Sequence, residues 1–301
     1  MPHTPTALTI AGSDSGGGAG IQADLKAFAR CGVHGTSAIT AITAQSTVGV
    51  SAIHLVPADI VLAQVRAVLA DIRVDAVKVG MLGSADVTLA VAQALDELPA
   101  GTPVVVDPVM VAESGARLLA PDAQKALVAE ILPRATVLTP NLPEARVLAG
   151  EQPASGPEHE PATPPDSEHM SAPGDDDAQA AALARAVLAL GPRIVVLTGG
   201  HRASATDLFL DSGGDGAIVR IEGERHPDGA AHGSGCTHSS ILAAQMALGR
   251  TPLQAARAAR ELAGEAVANG LRDVGAGAGP VDVLGLASIR DNCRCAPGRL
   301  P

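Results

Sequence analysis

A glycine-rich turn leads into an apolar segment at residues 231–240, which read Ala-His-Gly-Ser-Gly-Cys-Thr-His-Ser-Ser. The first N–H groups of a helix lack internal partners and, together with the helix dipole, attract anions such as phosphate. If a helix begins here, Gly233, Ser234 and Gly235 form an anion cradle that a ligand can approach closely. The same helix start would lower the pKa of the Cys236 thiol and make Cys236 a candidate base. The alternative is a plain loop-to-helix junction with a small buried cysteine.

A second glycine-rich segment, residues 12–20, follows the first apolar run of the chain. Residues 18–23 match the Gly-x-Gly-x-x-Gly/Ala pattern of dinucleotide-binding proteins, which carry an acidic ribose ligand about 20 residues later. No Asp or Glu occurs between Asp24 and Asp59, which argues against an NAD-dependent enzyme, and the chain has no Gly-x-x-x-x-Gly-Lys-Ser/Thr motif. The segment is therefore interpreted as a close approach of the backbone to a small ligand.

Several polar side chains stand where a small heterocycle or a metal ion would bind. Asp24, early in the helix after the glycine segment, can accept hydrogen bonds from the amino edge of a heterocycle, and Gln45 can both donate and accept. Asp107, Asn141 and Glu144 follow apolar runs and carry the oxygen ligands that Mg²⁺ prefers. The alternative for Asp24 is an acid that complements a helix dipole, and the alternative for the others is a turn, capping or solvent-facing residue.

The elements that must position these residues follow from hydrophobic patterning. Apolar, β-rich runs alternate with helical patterns, which predicts an α/β fold with a mostly parallel sheet covered on both faces. Ligands bind such sheets at the carboxyl ends of the strands, so the segments above are expected to converge on one crevice. Strands are predicted at residues 6–11, 37–44, 50–56, 76–79, 103–107, 136–138, 193–197, 206–210 and 217–221, the last two as an antiparallel pair. Helices are predicted at residues 20–31, 57–71, 85–98, 121–132, 142–149, 179–190, 235–248 and 252–269.

The composition limits the class of protein and its partners. Of the 301 residues, 47% are hydrophobic but only Phe28 and Phe209 are aromatic, which leaves no stacking platform for single-stranded nucleic acid. The four cysteines show no zinc-site or disulfide spacing. The chain shows no signal peptide pattern and no run of ~18 apolar residues, so we expect no membrane partner and a cytoplasmic location.

One domain is expected over residues 1–288, with a flexible tail at 289–301. Residues 151–178 interrupt it with six prolines, eight acidic residues and no Lys or Arg, so most of the net charge of -11 lies in this segment. It has too few large apolar side chains to offset the entropy lost on ordering, and we predict a disordered insert. Binding of a basic partner to the insert is the alternative.

Seven motifs occur in a fixed order along the chain: AGSDSGGGAGIQADLKAF, ITAQ, VKVGML, DPVM, TPNLPEA, TGGH and HGSGCT. With this order the chain resembles the hydroxymethylpyrimidine and phosphomethylpyrimidine kinases of thiamine biosynthesis, which are members of the ribokinase-like superfamily. The resemblance spans about residues 6–270, apart from the insert. It implies a three-layer αβα sandwich with a central, mostly parallel sheet, and a homodimer. It also implies ATP-dependent phosphorylation of 4-amino-5-hydroxymethyl-2-methylpyrimidine and then of its monophosphate.

The resemblance implies a role for individual residues as well. The residues that would contact the pyrimidine are Gly12, Asp24, Gln45, Met81 and Val109. Those that would organise Mg²⁺ and the phosphates are Asp107, Asn141 and Glu144. Those that would lie near ATP are Thr198 and Gly200. The catalytic residues would be Gly233, Ser234 and Gly235, which form the anion cradle, and Cys236. Cys236 would be the base, at a position where many sugar-kinase relatives have an aspartate.

This chain departs from the family pattern at three positions. Relatives often have lysine where Glu113 and Thr198 stand, and threonine where Ser234 stands. The two missing lysines affect the nucleotide contacts more than the pyrimidine contacts. One alternative is a pyridoxal or pyridoxine kinase of the same branch, because its substrate is also a hydroxymethyl heteroaromatic of similar size. The other alternative is a non-catalytic pyrimidine-binding protein.

Overall fold

The computed structural model describes residues 3–111, 115, 118–151, 173–201, 205–227 and 229–289. Most of the predicted insert, the predicted tail beyond residue 289, and Glu113 lie outside the described residues. The strands are β1 (Thr6–Asp14), β2 (His34–Ser46), β3 (Gly49–Leu55), β4 (Ala76–Val79), β5 (Val104–Val106), β6 (Val137–Leu138), β7 (Ile194–Leu197), β8 (Asp207–Asp211) and β9 (Val219–Ile221). The helices are α1 (Gly20–Arg30), α2 (Ala58–Asp71), α3 (Ala85–Asp96), α4 (Pro121–Ala126), α5 (Leu142–Leu148), α6 (Pro173–Leu188), α7 (Ser234–Ala247) and α8 (Pro252–Ala268).

The strands form one sheet in the order β3-β2-β1-β4-β5-β6-β7-β8-β9. The strands from β2 to β7 in that order pair in parallel. At the two edges, β3 pairs antiparallel with β2, and β8 pairs antiparallel with β7 and β9. The predicted mostly parallel sheet and the predicted antiparallel pairing of the last two strands are therefore confirmed.

Helices cover both faces of the sheet, and each face has its own apolar core. The core under α2 to α6 includes Leu8, Val77 and Val106 from the strands. The core under α1, α7 and α8 includes Phe28 and Val105. The three-layer arrangement predicted from the alternation of strands and helices is confirmed. Within the described ranges, no helix combines the length and the hydropathy that crossing a membrane requires.

Successive side chains of a strand point to opposite faces of the sheet, so the residues of each central strand divide between the two cores. In β4, Val77 and Val79 join the core under α2 to α6, so Lys78 points to the other face. The side chains of other strands alternate between the two faces in the same way near this edge of the sheet. The buried polar residues that contact α1 or α7 in this way are Thr9, Lys78, Asp107 and Asp207.

Several predicted boundaries differ from the structure, and the two largest differences concern α4 and the insert. The helix predicted at residues 121–132 ends as an α-helix at Ala126 and continues as the π-helix Leu127–Ile131 and the 3-10 turn Leu132–Arg134. Pro133 lacks an N–H group, so a regular α-helix is not sustained there. The predicted insert is also too long, because α6 begins at Pro173. The sequence from Pro173 carries a proline followed by acidic residues, both of which are favoured in the first turn of a helix.

Candidate active site

A cavity of about 450 Å³ opens at the edge of the sheet where the parallel strands end. The predicted residues that line it are Gly12, Gln45, Met81, Asp107, Val109, Asn141, Glu144, Thr198, Gly200, Gly233, Ser234, Gly235 and Cys236. Asp24 is not part of the lining. The structure thus brings the predicted site residues, except Asp24, to one crevice, while the role of each stays a prediction.

The start of α7 lies directly against the glycine-rich segment after β1. Gly233 precedes the helix with φ of 82°, a left-handed conformation that glycine adopts without strain. A Cβ atom at Gly233 would overlap the carbonyl oxygen of Gly18, so the two segments touch backbone to backbone. The N–H of Ser234 donates to the carbonyl of Ala231 at 2.9 Å, which corrects the expectation that it serves the cradle. The N–H groups that begin the cradle are therefore those of Gly235 and the residue after it.

Asp14 holds the glycine segment in shape and links it to α7. Its carboxylate accepts the N–H groups of Gly16, Gly18 and Ala19 at 2.8, 3.0 and 2.8 Å. Nε2 of His232, just before the cradle, lies 3.0 Å from Oδ2 of the same carboxylate. Burial raises the pKa of Asp14, but the hydrogen bonds from His232 and from the backbone of Ala19 and Gly16 outweigh it, so the pKa is lowered overall. Asp14 is thus a charged anchor for the cradle.

Asp24 does not contact the cavity, which corrects the prediction that it contacts the pyrimidine directly. It is fully buried in α1 and faces the sheet. Lys78 Nζ lies 2.9 Å from its Oδ1, Ser240 Oγ donates to the same oxygen at 2.7 Å, and Thr9 Oγ1 donates to Oδ2 at 2.6 Å. The position of Asp24 on the helix face towards β1 explains the difference. It pairs with a buried lysine beneath the site.

Lys78 places a positive charge beside Asp24 at the cavity. Its side chain is fully buried and lines the cavity floor. Burial alone would lower the pKa of Lys78, but the negative charge of Asp24 raises it, so the ammonium stays protonated. A Cβ atom at Gly80 would lie 2.9 Å from Nζ of Lys78, so glycine at position 80 leaves room for the ammonium.

The pKa of the Cys236 thiol differs from the expectation. Burial raises the pKa of the Cys236 thiol, and the charges of Asp107 and Asp24 also raise it. Lys78 lowers it in part, and the net pKa is about 12. The predicted lowering by the helix start is therefore wrong for the protein without substrates. Desolvation and two nearby carboxylates outweigh the field of the helix end.

Two carboxylates, those of Asp107 and Glu144, line the cavity together with the cradle. Asp107 is buried and accepts a hydrogen bond from Ser239 Oγ of α7 at 3.0 Å, and burial raises its pKa. Glu144 forms a capping box with Asn141, with distances of 3.0 Å and 2.9 Å for the two reciprocal bonds. Burial and the charge of Asp107 raise the pKa of Glu144 to about 8. A buried carboxylate whose ionisation is disfavoured by a neighbouring carboxylate is a setting in which a bound cation is stabilising.

A further part of the lining follows β7. The N–H of Thr198 donates to the carbonyl of Pro140 at 2.9 Å, and the 3-10 turn Gly199–His201 follows it. The N–H of Gly199 donates to Oδ1 of Asp207 at 2.7 Å. Thr198 and Gly200 both line the cavity on this side. No group of three or more His, Cys, Asp or Glu side chains in the described part of the chain forms a metal site by itself.

Sequence reasoning missed several polar residues of the cavity, among them Asp14, Lys78, Asp207, His232 and His238. For Lys78 a signal existed, because a single charge inside the apolar strand β4 must face a partner. No comparable signal existed for His238, because the sequence does not reveal which residue it meets. The same is true of Asp207.

The strand order and the site together define the class of protein. A helix start suited to anions, two carboxylates in the same cavity and a position at the carboxyl edge of a doubly covered sheet are features that phosphoryl transfer to a small molecule uses. The fold and the site are those of a ribokinase-like kinase.

Comparison with known proteins identifies the family. The model of the phosphomethylpyrimidine kinase family matches residues 14–282. A hydroxymethylpyrimidine/phosphomethylpyrimidine kinase of Rhizobium meliloti is 45% identical over 92% of this chain and 96% of its own length. The enzyme of the same name from Haemophilus influenzae is 40% identical over 94% of this chain and 97% of its own length. The chain therefore belongs to the phosphomethylpyrimidine kinase family, as the motif order indicated.

Solved structures support the same class. A phosphomethylpyrimidine kinase from Clostridium difficile superposes with a TM-score of 0.67 and 36% identity, covering 85% of this chain and 96% of that one. A pyridoxal kinase from Staphylococcus aureus in complex with AMP-PCP and pyridoxal has a TM-score of 0.77 and 29% identity, covering 94% of both chains. The pyridoxal kinases share the fold, whereas sequence identity is higher to the pyrimidine kinases.

Proposed function

We propose that this chain is an ATP-dependent kinase that phosphorylates 4-amino-5-hydroxymethyl-2-methylpyrimidine and then its monophosphate. The observation that carries the proposal is the position of the α7 start, which faces one cavity together with Met81 and Gln45. A phosphoryl group at the helix start and a heterocycle against Met81 would be neighbours. Relatives that are 40–45% identical over more than nine-tenths of the chain bear the names of these two activities.

The pyrimidine subsite is proposed to combine apolar and amide contacts. Met81 and Val109 supply aliphatic surface for the ring, since no Phe, Tyr or Trp is among the described residues that line the cavity. Gln45 supplies a donor and an acceptor for the ring edge. Gly12 permits the close approach, because a Cβ atom there would lie 3.0 Å from Sδ of Met81. Asp24 acts on this subsite only through Lys78.

The nucleotide subsite is proposed to lie at Thr198, Gly200 and Asn141, with Mg²⁺ at Asp107 and Glu144. Both carboxylates line the cavity, burial raises the pKa of each, and a bound divalent cation would favour their charged forms. Mg²⁺ in kinases is bound by one or two carboxylates together with substrate phosphates. The residues therefore fit the ion, which supplies charge neutralisation of the phosphate oxygens when bound.

The reaction joins the hydroxymethyl oxygen to the γ-phosphorus and breaks the bond between that phosphorus and the oxygen retained by ADP. The cradle N–H groups of Gly235 and Cys236 stabilise the charge on the transferred phosphoryl group. The hydroxyl proton passes to the sulfur of Cys236, which must be a thiolate to accept it. Because the proton leaves late in a loose transition state, the step requires only the small fraction of Cys236 that is thiolate at neutral pH.

A pyridoxal kinase activity is the second candidate, because the Staphylococcus aureus pyridoxal kinase superposes over 94% of the chain. The two candidates are separated by assaying purified protein with ATP and each alcohol, and by following diphosphate formation with 31P NMR. We expect kcat/KM for the pyrimidine to exceed that for pyridoxal by at least about tenfold, with a diphosphate as final product. Preference for pyridoxal without a diphosphate would overturn the proposal.

We also propose that the protein is a homodimer in the cytoplasm, where ATP is available. Large apolar side chains are exposed on the edge strand β3 and beside it, among them Val48 at 66% and Ile42 at 52%. Exposed apolar surface of this kind favours association. Light scattering after size exclusion tests the dimer, and Ile53→Glu on β3 should shift it towards the monomer. A wild-type monomer at micromolar concentration would contradict this.

A further inference from the structure

His238 is a buried histidine that the proposed reaction does not use. It lies in the second turn of α7, the helix that provides the anion cradle, and only 5% of it is exposed. Nε2 of His238 lies 3.1 Å from Oδ2 of Asp207, the first residue of β8. Asp207 is fully buried as well. Both residues line the cavity.

Asp207 connects His238 to the turn after β7. While Oδ2 meets the imidazole, Oδ1 of Asp207 accepts the N–H of Gly199 at 2.7 Å. A Cβ atom at Gly199 would lie 2.6 Å from the backbone N and O of Thr206, so this turn packs tightly against the chain before β8. One carboxylate therefore joins α7, β8 and the Gly199–His201 turn.

The other ring nitrogen of His238 shows that this arrangement is not optimised for stability alone. Nδ1 is buried and has no hydrogen-bond partner among the described residues. An unpartnered buried polar atom is unfavourable, and an apolar side chain of similar size would avoid it. The imidazole also makes a contact that an apolar side chain would lose, because its Nε2 meets Oδ2 of Asp207.

We propose that His238 is a positioning residue for the nucleotide, acting through Asp207 on the Gly199–His201 turn. This inference rests on the proposed function, which assigns Thr198 and Gly200 to ATP. Because His238 and the cradle belong to the same helix, the contact fixes the distance between the nucleotide turn and the point of phosphoryl transfer. Displacements of about 1 Å in such a geometry have large effects on rate.

Two substitutions of His238 test the proposal. His238→Leu removes the contact to Asp207, whereas His238→Gln keeps an amide that can donate to it. We expect His238→Leu to raise the dissociation constant of AMP-PCP, measured by calorimetry, and the KM for ATP by about tenfold, the effect of losing a hydrogen bond to a charged group. KM for the pyrimidine should change less than about twofold, and His238→Gln should recover most of the ATP affinity.

Thr237→Val is the matched control. Thr237 is the neighbouring residue of α7, fully buried, and its Oγ1 also lacks a partner among the described residues. Its substitution should leave both KM values unchanged, because no contact to the nucleotide turn is lost. Asp207→Asn provides a second route if His238→Leu does not fold, and it should weaken AMP-PCP binding without weakening pyrimidine binding.

Three outcomes would overturn the proposal: unchanged ATP constants in His238→Leu, an equal loss of affinity for ATP and pyrimidine, or no recovery in His238→Gln. If His238→Leu is unfolded, unchanged AMP-PCP binding by Asp207→Asn overturns it. Wild-type protein that binds neither AMP-PCP nor the pyrimidine would instead contradict the proposed function itself. The two failures are thereby distinguishable.

Discussion

Nε2 of His232 lies 3.0 Å from Oδ2 of Asp14, a residue 218 positions earlier in the chain, and this contact joins the two glycine-rich segments of the site. The segments also meet at Gly18 and Gly233, where no side chain fits between them. The anion cradle is therefore held on one side by its own helix and on the other by the loop after β1. Substitutions at Asp14 and at His232, which are far apart in the sequence, should therefore affect the same part of the site.

Asp14→Asn should lower the free energy of unfolding by about 1–3 kcal/mol at neutral pH, because an amide cannot accept all the N–H groups that the carboxylate accepts. The folded-state pKa of Asp14 lies below its ordinary value of 3.8, so its stabilisation is present above that value and is lost as the pH falls through the folded-state pKa. The difference from wild type in urea unfolding should therefore shrink as the pH falls below 3.8. Asp86→Asn, at an exposed position, is the control, and a pH-independent difference would contradict the assignment.

Gly233→Ala and Gly235→Ala should separate folding from catalysis. At Gly233 the left-handed backbone costs an alanine about 1–2 kcal/mol, and its Cβ overlaps Gly18, so we expect both the Tm and the activity to fall. At Gly235 a Cβ atom has Oδ2 of Asp107 as its nearest neighbour at 4.0 Å, so the protein should fold normally. Its activity should nevertheless drop, because the methyl group occupies the cradle. Full activity in Gly235→Ala would show that the phosphoryl group does not approach there.

Lys78→Met should lower the free energy of unfolding by about 3–5 kcal/mol, because it leaves Asp24 as a buried charge without its cationic partner. Adding Asp24→Asn should recover part of this loss, since it removes the unpaired buried charge and leaves one oxygen to which either Ser240 or Thr9 can donate. The measurement is a double-mutant cycle in urea. Simple additivity of the two single effects would show that the pair is not coupled.

The pH dependence of kcat/KM tests Cys236 as the proton acceptor. A thiol with a pKa of about 12 is almost entirely protonated at neutral pH, so its thiolate fraction rises tenfold for each pH unit below that value. If Cys236 accepts the proton as a thiolate, kcat/KM for the pyrimidine should rise with pH without a plateau below about pH 10. Cys236→Ala should reduce kcat by about 10²-fold and abolish the rise. The same slope in wild type and Cys236→Ala would exclude the role.

Glu144→Gln tests the proposed Mg²⁺ site. With a pKa of about 8 in the free protein, Glu144 is increasingly protonated below that pH and must lose a proton to bind a cation. The Mg²⁺ concentration for half-maximal activity should therefore rise as the pH falls below 8 in wild type. The glutamine variant keeps an oxygen for the N–H of Asn141, and its higher Mg²⁺ requirement should be independent of pH. An identical pH response in both proteins would remove Glu144 from the site.

Local patterning explains why the fold was predictable and why parts of the site were not. Runs such as Val104–Val106 identify buried parallel strands, and the carboxyl-end rule brought Asp107 and Asn141 to one crevice. Asp24 was misassigned because its helix was predictable but the face that it presents to β1 was not. The pKa of Cys236 was mispredicted because a helix start is visible in a sequence, whereas burial beside two carboxylates is not.

The alternation along β4 constrains more than the position of Lys78. If β4 were displaced by one residue, the ammonium of Lys78 would enter the apolar layer beneath α2 and α3, while Val77 or Val79 would replace it beside Asp24. That arrangement would bury two unmatched charges on opposite sides of one sheet. A fold with β4 displaced in this way is therefore strongly destabilised. A chain that reaches its most stable fold consequently also places Lys78 correctly in the site.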